Sequence, residues 1–261
     1  MLAQTVSDFE LLVVDDGSTP PALATEDPRV RVVRLDRNVG PAGARNTGVR
    51  AAIGRYVTFL DDDDLYTPDR LALALEGLSR APVAICWSRF SDRPVGNTRA
   101  LEGNVADTIL DGPTPSIGAT AIRRDVAPPF DERWAAVEDI DWWLRLAPVL
   151  QATTVPEVGY LIRRHDSPRH RNDIATRVAE NVALIRERNE YFASHPVAAA
   201  FRWKRVGLLA RQVGDPRLAR TAFVRSFRLR PRPATLLHVL RSLGRSHPVT
   251  RPGTSPLRTA P

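Results

Sequence analysis

One cysteine in 261 residues leaves no partner for an intrachain disulfide, and that residue, Cys86, lies in the apolar run VAICWS, where a core position is expected. Without a disulfide framework the chain must fold on packing alone, and a reducing compartment is the default. Long apolar runs are also missing. No stretch approaches the ~20 residues that cross a bilayer, and no basic segment followed by an apolar one opens the chain. The expectation is a cytoplasmic protein, neither inserted nor exported. Hydrophobic residues make up 43% of the sequence, enough for one sizeable core and a smaller appendage.

Acids are scarce in one half only. Residues 1–150 hold 16 Lys+Arg against 23 Asp+Glu, and residues 151–261 hold 21 against 7, so the formal charge of +7 conceals −7 in front and +14 behind. The two halves face different partners.

Strand and helix patterns alternate along the front half. ELLVV (10–14) ends at Asp15-Asp16-Gly17-Ser18, RVRVVRL (29–35) alternates with period two, and both read as strands closed by turns. Pro41 suits a first helical position, with Gly54 as the stop after AGARNTGVRAAIG. RYVTFL is a third strand. Thr67 then reads as the cap of a helix with Pro68 first and Asp69 in its first turn, running to about Arg80, before the strand PVAICWS (82–88). Such alternation, with Val/Ile/Leu-rich strands, predicts an α/β fold with a mostly parallel sheet and helices on both faces.

Ligands of such sheets sit beyond the carboxyl ends of the strands. Asp15, Asp16 and the unbroken run Asp61 to Asp64 all lie at such ends. Four adjacent carboxylates repel one another, so a cation or a ligand is expected there.

Three blocks, LAQTVSDFELLVVDDGSTPP, NVGPAGARNTGVRAAIGRYVTFLDDDDLYTPDRL and VEDIDWWLRL, resemble in order and spacing the nucleotide-sugar-dependent family 2 glycosyltransferases, which have the Rossmann-like GT-A fold. The resemblance covers residues 1 to about 165. It implies inverting transfer of a sugar, from a UDP- or dTDP-sugar, to a hydroxyl of a saccharide or lipid-linked acceptor in the synthesis of polysaccharide or glycoconjugate. It places the D-x-D pair on Asp61 and Asp63, with Asp63 holding Mn²⁺ or Mg²⁺, Asp61 beside it, and Asp62 near the ribose or diphosphate. Hard divalent ions of this kind take carboxylate and phosphate oxygens. Asp64 would instead serve the N-terminal region of the following helix.

By the same resemblance Asp16 accepts from a pyrimidine imide N–H, with Asp15 next to it in the donor site, and Arg45 either reaches a phosphate or pairs with the aspartates. Asp139 would be the base that takes the acceptor's proton. Glu138 and Trp142 would line the acceptor site, although tryptophans at helical spacing (Trp142, Trp143) are more often core, and SIGATAIRR (116–124) would form its floor. His165, after a late strand, would touch metal or diphosphate. Family members begin with a further strand and a helix whose end matches LAQT, so Met1 is expected to fall inside that helix. ELLVV and RYVTFL would flank the vacant position.

Residues 1–165 are thus expected to form the catalytic domain, and 166–245 a basic, all-α region. In it Trp203, Gly207, Ala219, Phe223 and Pro231 match tetratricopeptide offsets, giving one helix pair near 200–233, and 246–261 would be a disordered tail. The basic helices suit an anionic membrane surface, with no specific nucleic acid. Two competing readings remain: a phosphatase-type aspartyl nucleophile in Asp61-x-Asp63, and an impaired fragment acting as a nucleotide-sugar-binding, membrane-binding or nucleic-acid-binding adaptor.

Overall fold

The structure is a computed structural model and describes residues 1–94, 96–148, 151–163 and 173–243. Strand β1 (Leu11–Asp15) pairs in parallel with β2 (Val30–Arg34), in a register that sets Asp15 beside Arg34. Helix α1 (Gly40–Ala51) follows, with Pro41 in its first turn, where a missing N–H costs nothing. Then come β3 (Tyr56–Thr58), β4 (Leu65–Tyr66), α2 (Arg70–Leu78), β5 (Val83–Phe90), β6 (Gly96–Asn97), β7 (Gly103–Asn104), β8 (Thr120–Arg123), α3 (Glu138–Leu146) and β9 (Gln151–Ile162).

The central sheet runs β3-β8-β5-β9-β4, with β6 on β5 and β7 on β9. Its α/β character is as expected, yet its pairing is mixed rather than mostly parallel. β5 and β9 are parallel, whereas β8 lies antiparallel between β3 and β5. The strands legible by pattern, β3 and β5, therefore do share a direction but do not touch. β1 and β2 form a separate pair, and among the described residues no strand joins β1 to β3.

Both faces of the sheet are covered, by alternation along single strands. Val83 and Ile85 of β5 and Ile122 of β8 enter the main core with Trp142, Trp143 and Leu146 of α3. Ala84 and Ala121 turn the other way, onto Ala74 and Leu78 of α2. Small residues allow that approach: a Cβ on Gly77 would stand 2.5 Å from that of Ala84. Cys86 is buried, and burial pushes its thiol pKa up, as befits a core residue.

Two local expectations change. α2 begins at Arg70 rather than at Pro68, because the N–H of Thr67 is engaged by Gly159 O and Gln4 grips the turn, its Nε2 donating to Thr67 O and its Oε1 accepting from Leu71 N. Residues 1–10, including Met1 and LAQT, accordingly form no helix.

The remaining helices are α4 (Ile174–Glu187), α5 (Asn189–Ser194), α6 (Pro196–Gln212), α7 (Pro216–Leu229) and α8 (Pro233–Leu243). They are not detached from the sheet. Leu184, Ile185, Trp203 and Val206 join the core that holds Trp142 and Trp143, and Glu180 accepts from the N–H groups of Ala135 and Ala136. α6 and α7 pack where Gly207 admits the fully buried ring of Phe223, with Ala219 buried beside it. No helix among the described residues is long and apolar enough to cross a membrane.

Candidate active site

The site begins where β1 ends. Asp15 is buried, and its carboxylate accepts from the N–H groups of Ser18 (2.7 Å) and Ala22 (3.0 Å) and from Arg34 (2.5 Å). The backbone bonds from Ala22 and Ser18, ahead of the Arg34 charge, bring its pKa down to about 2. Asp15 thus holds its own loop in shape. Asp16 accepts from Val39 N (2.7 Å) and Gly40 N (2.9 Å), so it fastens the end of β1 to the positive end of α1.

From α1, Arg45 reaches across to two carboxylates at once. Its Nη2 donates to Asp61 Oδ1 and its Nη1 to Glu138 Oε1, each at 3.0 Å, while its guanidinium lies 5.5 Å from the Phe130 ring centroid. Of the two readings of Arg45, pairing with the aspartates is the one seen. Burial alone would lower its pKa, but Asp61 and Glu138 outweigh burial and raise it. One cation therefore joins the aspartate run after β3 to the first residue of α3.

The run itself divides by environment. Asp62 is exposed, Asp61 and Asp63 are half-buried, and Asp64 is buried. Asp61, Asp63 and Asp64 each bring an oxygen within 4.8 Å of the others, a hard-donor set that fits Mg²⁺ or Mn²⁺. Asp64 does not serve the N-terminus of α2. It accepts from the Tyr160 hydroxyl and from Arg163 N (2.9 Å) at the end of β9, and burial raises its pKa. Asp64 is therefore engaged by β9, while Asp61 is engaged by Arg45 and Asp63 is half-buried. Neither Asp64's partners nor the Arg163 side chain, which donates to Asp63 O (2.6 Å), was legible beforehand, since nothing in the sequence aligns the end of β9 with the aspartates. Position 165, the histidine assigned to metal or diphosphate, lies outside the described residues.

On α3 three acids have three settings. Glu138 is 2% exposed and paired with Arg45. Asp139 is half-buried at the second helical position, with one oxygen accepting from Ile140 N (2.8 Å). Asp141 is wholly buried and paired with Arg145 (2.8 Å) and with Arg188 (2.6 Å) at the end of α4. Trp142 does not line an acceptor cleft: it is fully buried, stacks on Phe130, and donates to Pro128 O. The apolar side of α3 buries both indoles and leaves the acids at its N-terminal end. Arg202 of α6 is buried nearby, and burial brings its pKa down to about 10 against the attraction of Asp139. A cavity of about 450 Å³ lined by Arg55, Arg123 and Arg124 lies at the other end of β3 and β8, away from these acids.

Residues 1–123 match the family model of glycosyl transferase family 2. This part of the chain is a family 2 glycosyltransferase domain. Among curated relatives, the succinoglycan biosynthesis protein ExoO of Rhizobium meliloti is 50% identical over 88 residues, 32% of this chain and 25% of that protein. The UDP-Glc:alpha-D-GlcNAc-diphosphoundecaprenol beta-1,3-glucosyltransferase WfgD of Escherichia coli is 26% identical over 154 residues, 56% of this chain and 61% of that protein. The chain thus matches about a quarter of ExoO and less than two thirds of WfgD. Among solved structures, S. aureus TarS 1–349 in complex with UDP-GlcNAc superposes with a TM-score of 0.59 at 16% identity, over 87% of this chain and 74% of that one. That likeness extends the GT-A fold beyond the matched residues of the glycosyltransferase domain.

Proposed function

We propose that the chain transfers a sugar from a UDP- or dTDP-sugar to a hydroxyl of a saccharide or lipid-linked acceptor, with inversion, in polysaccharide or glycoconjugate synthesis. The observation that carries this reading is Arg45, which brings Asp61 and Glu138 to one guanidinium and so unites the aspartate run with the acids of α3. Similarity to ExoO and WfgD supports the reaction class, and the UDP-GlcNAc complex of a protein with the same fold supports the donor class.

Asp61 and Asp63 would hold Mn²⁺ or Mg²⁺, which when bound supplies positive charge to the departing diphosphate. Asp16, fixed by two backbone N–H groups at the end of β1, would accept from the pyrimidine imide N–H, and the exposed Asp62 would meet the ribose or diphosphate. Asp139 takes the acceptor proton. Glu138 is poorly suited to that task because it is buried and its carboxylate is occupied by Arg45. Asp139 is the neighbouring carboxylate with solvent access, in the first turn of α3. The protein works in the cytoplasm, at the inner face of the membrane when its acceptor is lipid-linked.

Exchange of Asp139 for Asn tests the assignment. Transfer should fall by ~10²-fold or more, as for loss of a general base, while nucleotide-sugar affinity stays within a factor of two or so. Near-normal turnover of this variant would place the base elsewhere.

A further inference from the structure

Helix α8 is amphipathic in an unusual sense. Its inward side is polar or mixed: Thr235 is buried, His238 stacks on Phe223 at 4.9 Å, and Val239 packs on the α6–α7 cluster. Its leucines face outward. Leu236, Leu237 and Leu240 are 40%, 47% and 55% exposed, and at 100° per residue they form one stripe opposite the packing side. A stripe of this kind costs solubility unless something covers it.

The charges around it say what can. Residues 191–261 carry 14 Lys+Arg and a single acid, Asp215. Arg228, Arg232 and Arg241, at the end of α7 and at either end of α8, are all exposed, as is Leu229. A second copy of the same surface would bring these cations against one another. An apolar stripe set among cations, in a region with a single acid, fits a phase that is apolar within and anionic at its face.

We propose that α8 lies in the interface of an anionic bilayer, with Leu236, Leu237 and Leu240 entering the acyl boundary and Arg228, Arg232 and Arg241 at the headgroups. This deepens the membrane-proximal part of the function proposed above and rests on it. The helix rides on α7, which packs on α6, and Trp203 and Val206 of α6 share the core of α3. Anchoring α8 would therefore hold the Asp139 end of α3 at a fixed height over the membrane.

The full chain is sedimented with vesicles of phosphatidylcholine containing phosphatidylglycerol, and with vesicles of phosphatidylcholine alone. Binding to the anionic vesicles is expected to be at least about tenfold stronger, and the paired variant Leu237→Gln, Leu240→Gln to lose about tenfold. Both substitutions are at exposed positions, so circular dichroism should be unchanged. The triple variant Arg228→Gln, Arg232→Gln, Arg241→Gln should erase the preference for anionic lipid. Equal partitioning of the leucine variant and the parent would overturn the proposal. So would a dimer in sizing that the leucine variant dissolves, which would assign the stripe to a second copy. Transfer to a water-soluble acceptor should be normal in the leucine variant. Loss of transfer in the parent with vesicle binding intact would instead refute the catalytic reading alone.

Discussion

The α/β part of the chain and its helical part carry opposite charge, and they use it in opposite ways. In the first, carboxylates gather at strand ends and are held close together: Asp61 and Glu138 share Arg45, and Asp64 is buried against Tyr160 and Arg163 N. In the second, arginines spread over exposed helix faces with few acids to meet them, as at Arg225, Arg228 and Arg232. Concentrated like charge is tolerated only where a ligand or a buried counter-charge balances it, and dispersed charge is tolerated by water. The first arrangement marks a site and the second a surface.

Asp141 is where the two parts meet, and it offers the strongest way to break the distinction. The wholly buried carboxylate binds Arg145 of its own helix and Arg188 at the end of α4. Breaking a buried pair costs ~3–5 kcal/mol, and because both arginines keep some contact with water, Asp141→Asn should cost about 3 kcal/mol, the lower end. A lowered melting temperature with one cooperative transition is the expected calorimetric result. Separate melting of the two parts would mean that they are less tightly joined than the shared core implies.

A smaller effect is expected within the helical part. A Cβ on Gly207 would lie 2.7 Å from the Phe223 ring, which is fully buried and has little room to move. Gly207→Ala gains ~1 kcal/mol of helix propensity, but overpacking costs ~1–3 kcal/mol, so a net loss of about 1 kcal/mol should appear in denaturant titration. Nucleotide affinity should not change. If it did, the helices would be shaping the site directly.

The smallest effect is one of pH. Asp15 has its pKa lowered from 3.8 to about 2, first by the Ala22 and Ser18 N–H groups. A depressed carboxylate contributes stability that is complete above its unfolded pKa and is lost as pH falls through the folded one, here between about 4 and 2. Asp15→Asn should flatten that part of the acid-unfolding curve and leave the curve above pH 5 parallel to the parent's.

The legible parts were those whose pattern is local. β1, β2, β3 and β5 follow from apolar or alternating runs, and Asp61 to Asp64 from adjacency. β8 is four residues long and β9 contains Pro156, so neither reads as a central strand. In the sheet β9 accommodates that proline at a register shift, where Cys86 pairs with Val155 and Trp87 with Val158, leaving Pro156 and Glu157 unmatched. Because β8 and β9 were hidden, so were the mixed pairing and the partners of Asp64. Trp142 shows the opposite limit. Its helical spacing from Asp139 is compatible with a cleft or a core, and only its stacking on Phe130, 12 residues earlier in the chain, decides for the core. The same blindness to distant partners applied to Arg45, whose link from Asp61 to Glu138 spans 93 residues on one side.

The strand-end carboxylates are proposed to bind a nucleotide diphosphate through a divalent cation. Calorimetric titration of UDP into the full chain, with and without Mn²⁺, measures this directly, with Asp63→Asn alongside. Binding should depend on Mn²⁺ and weaken by about tenfold or more in the variant, whose melting temperature should hold or rise as repulsion in the run is relieved. Equal UDP affinity with and without the ion, or an unchanged affinity in Asp63→Asn, would contradict it.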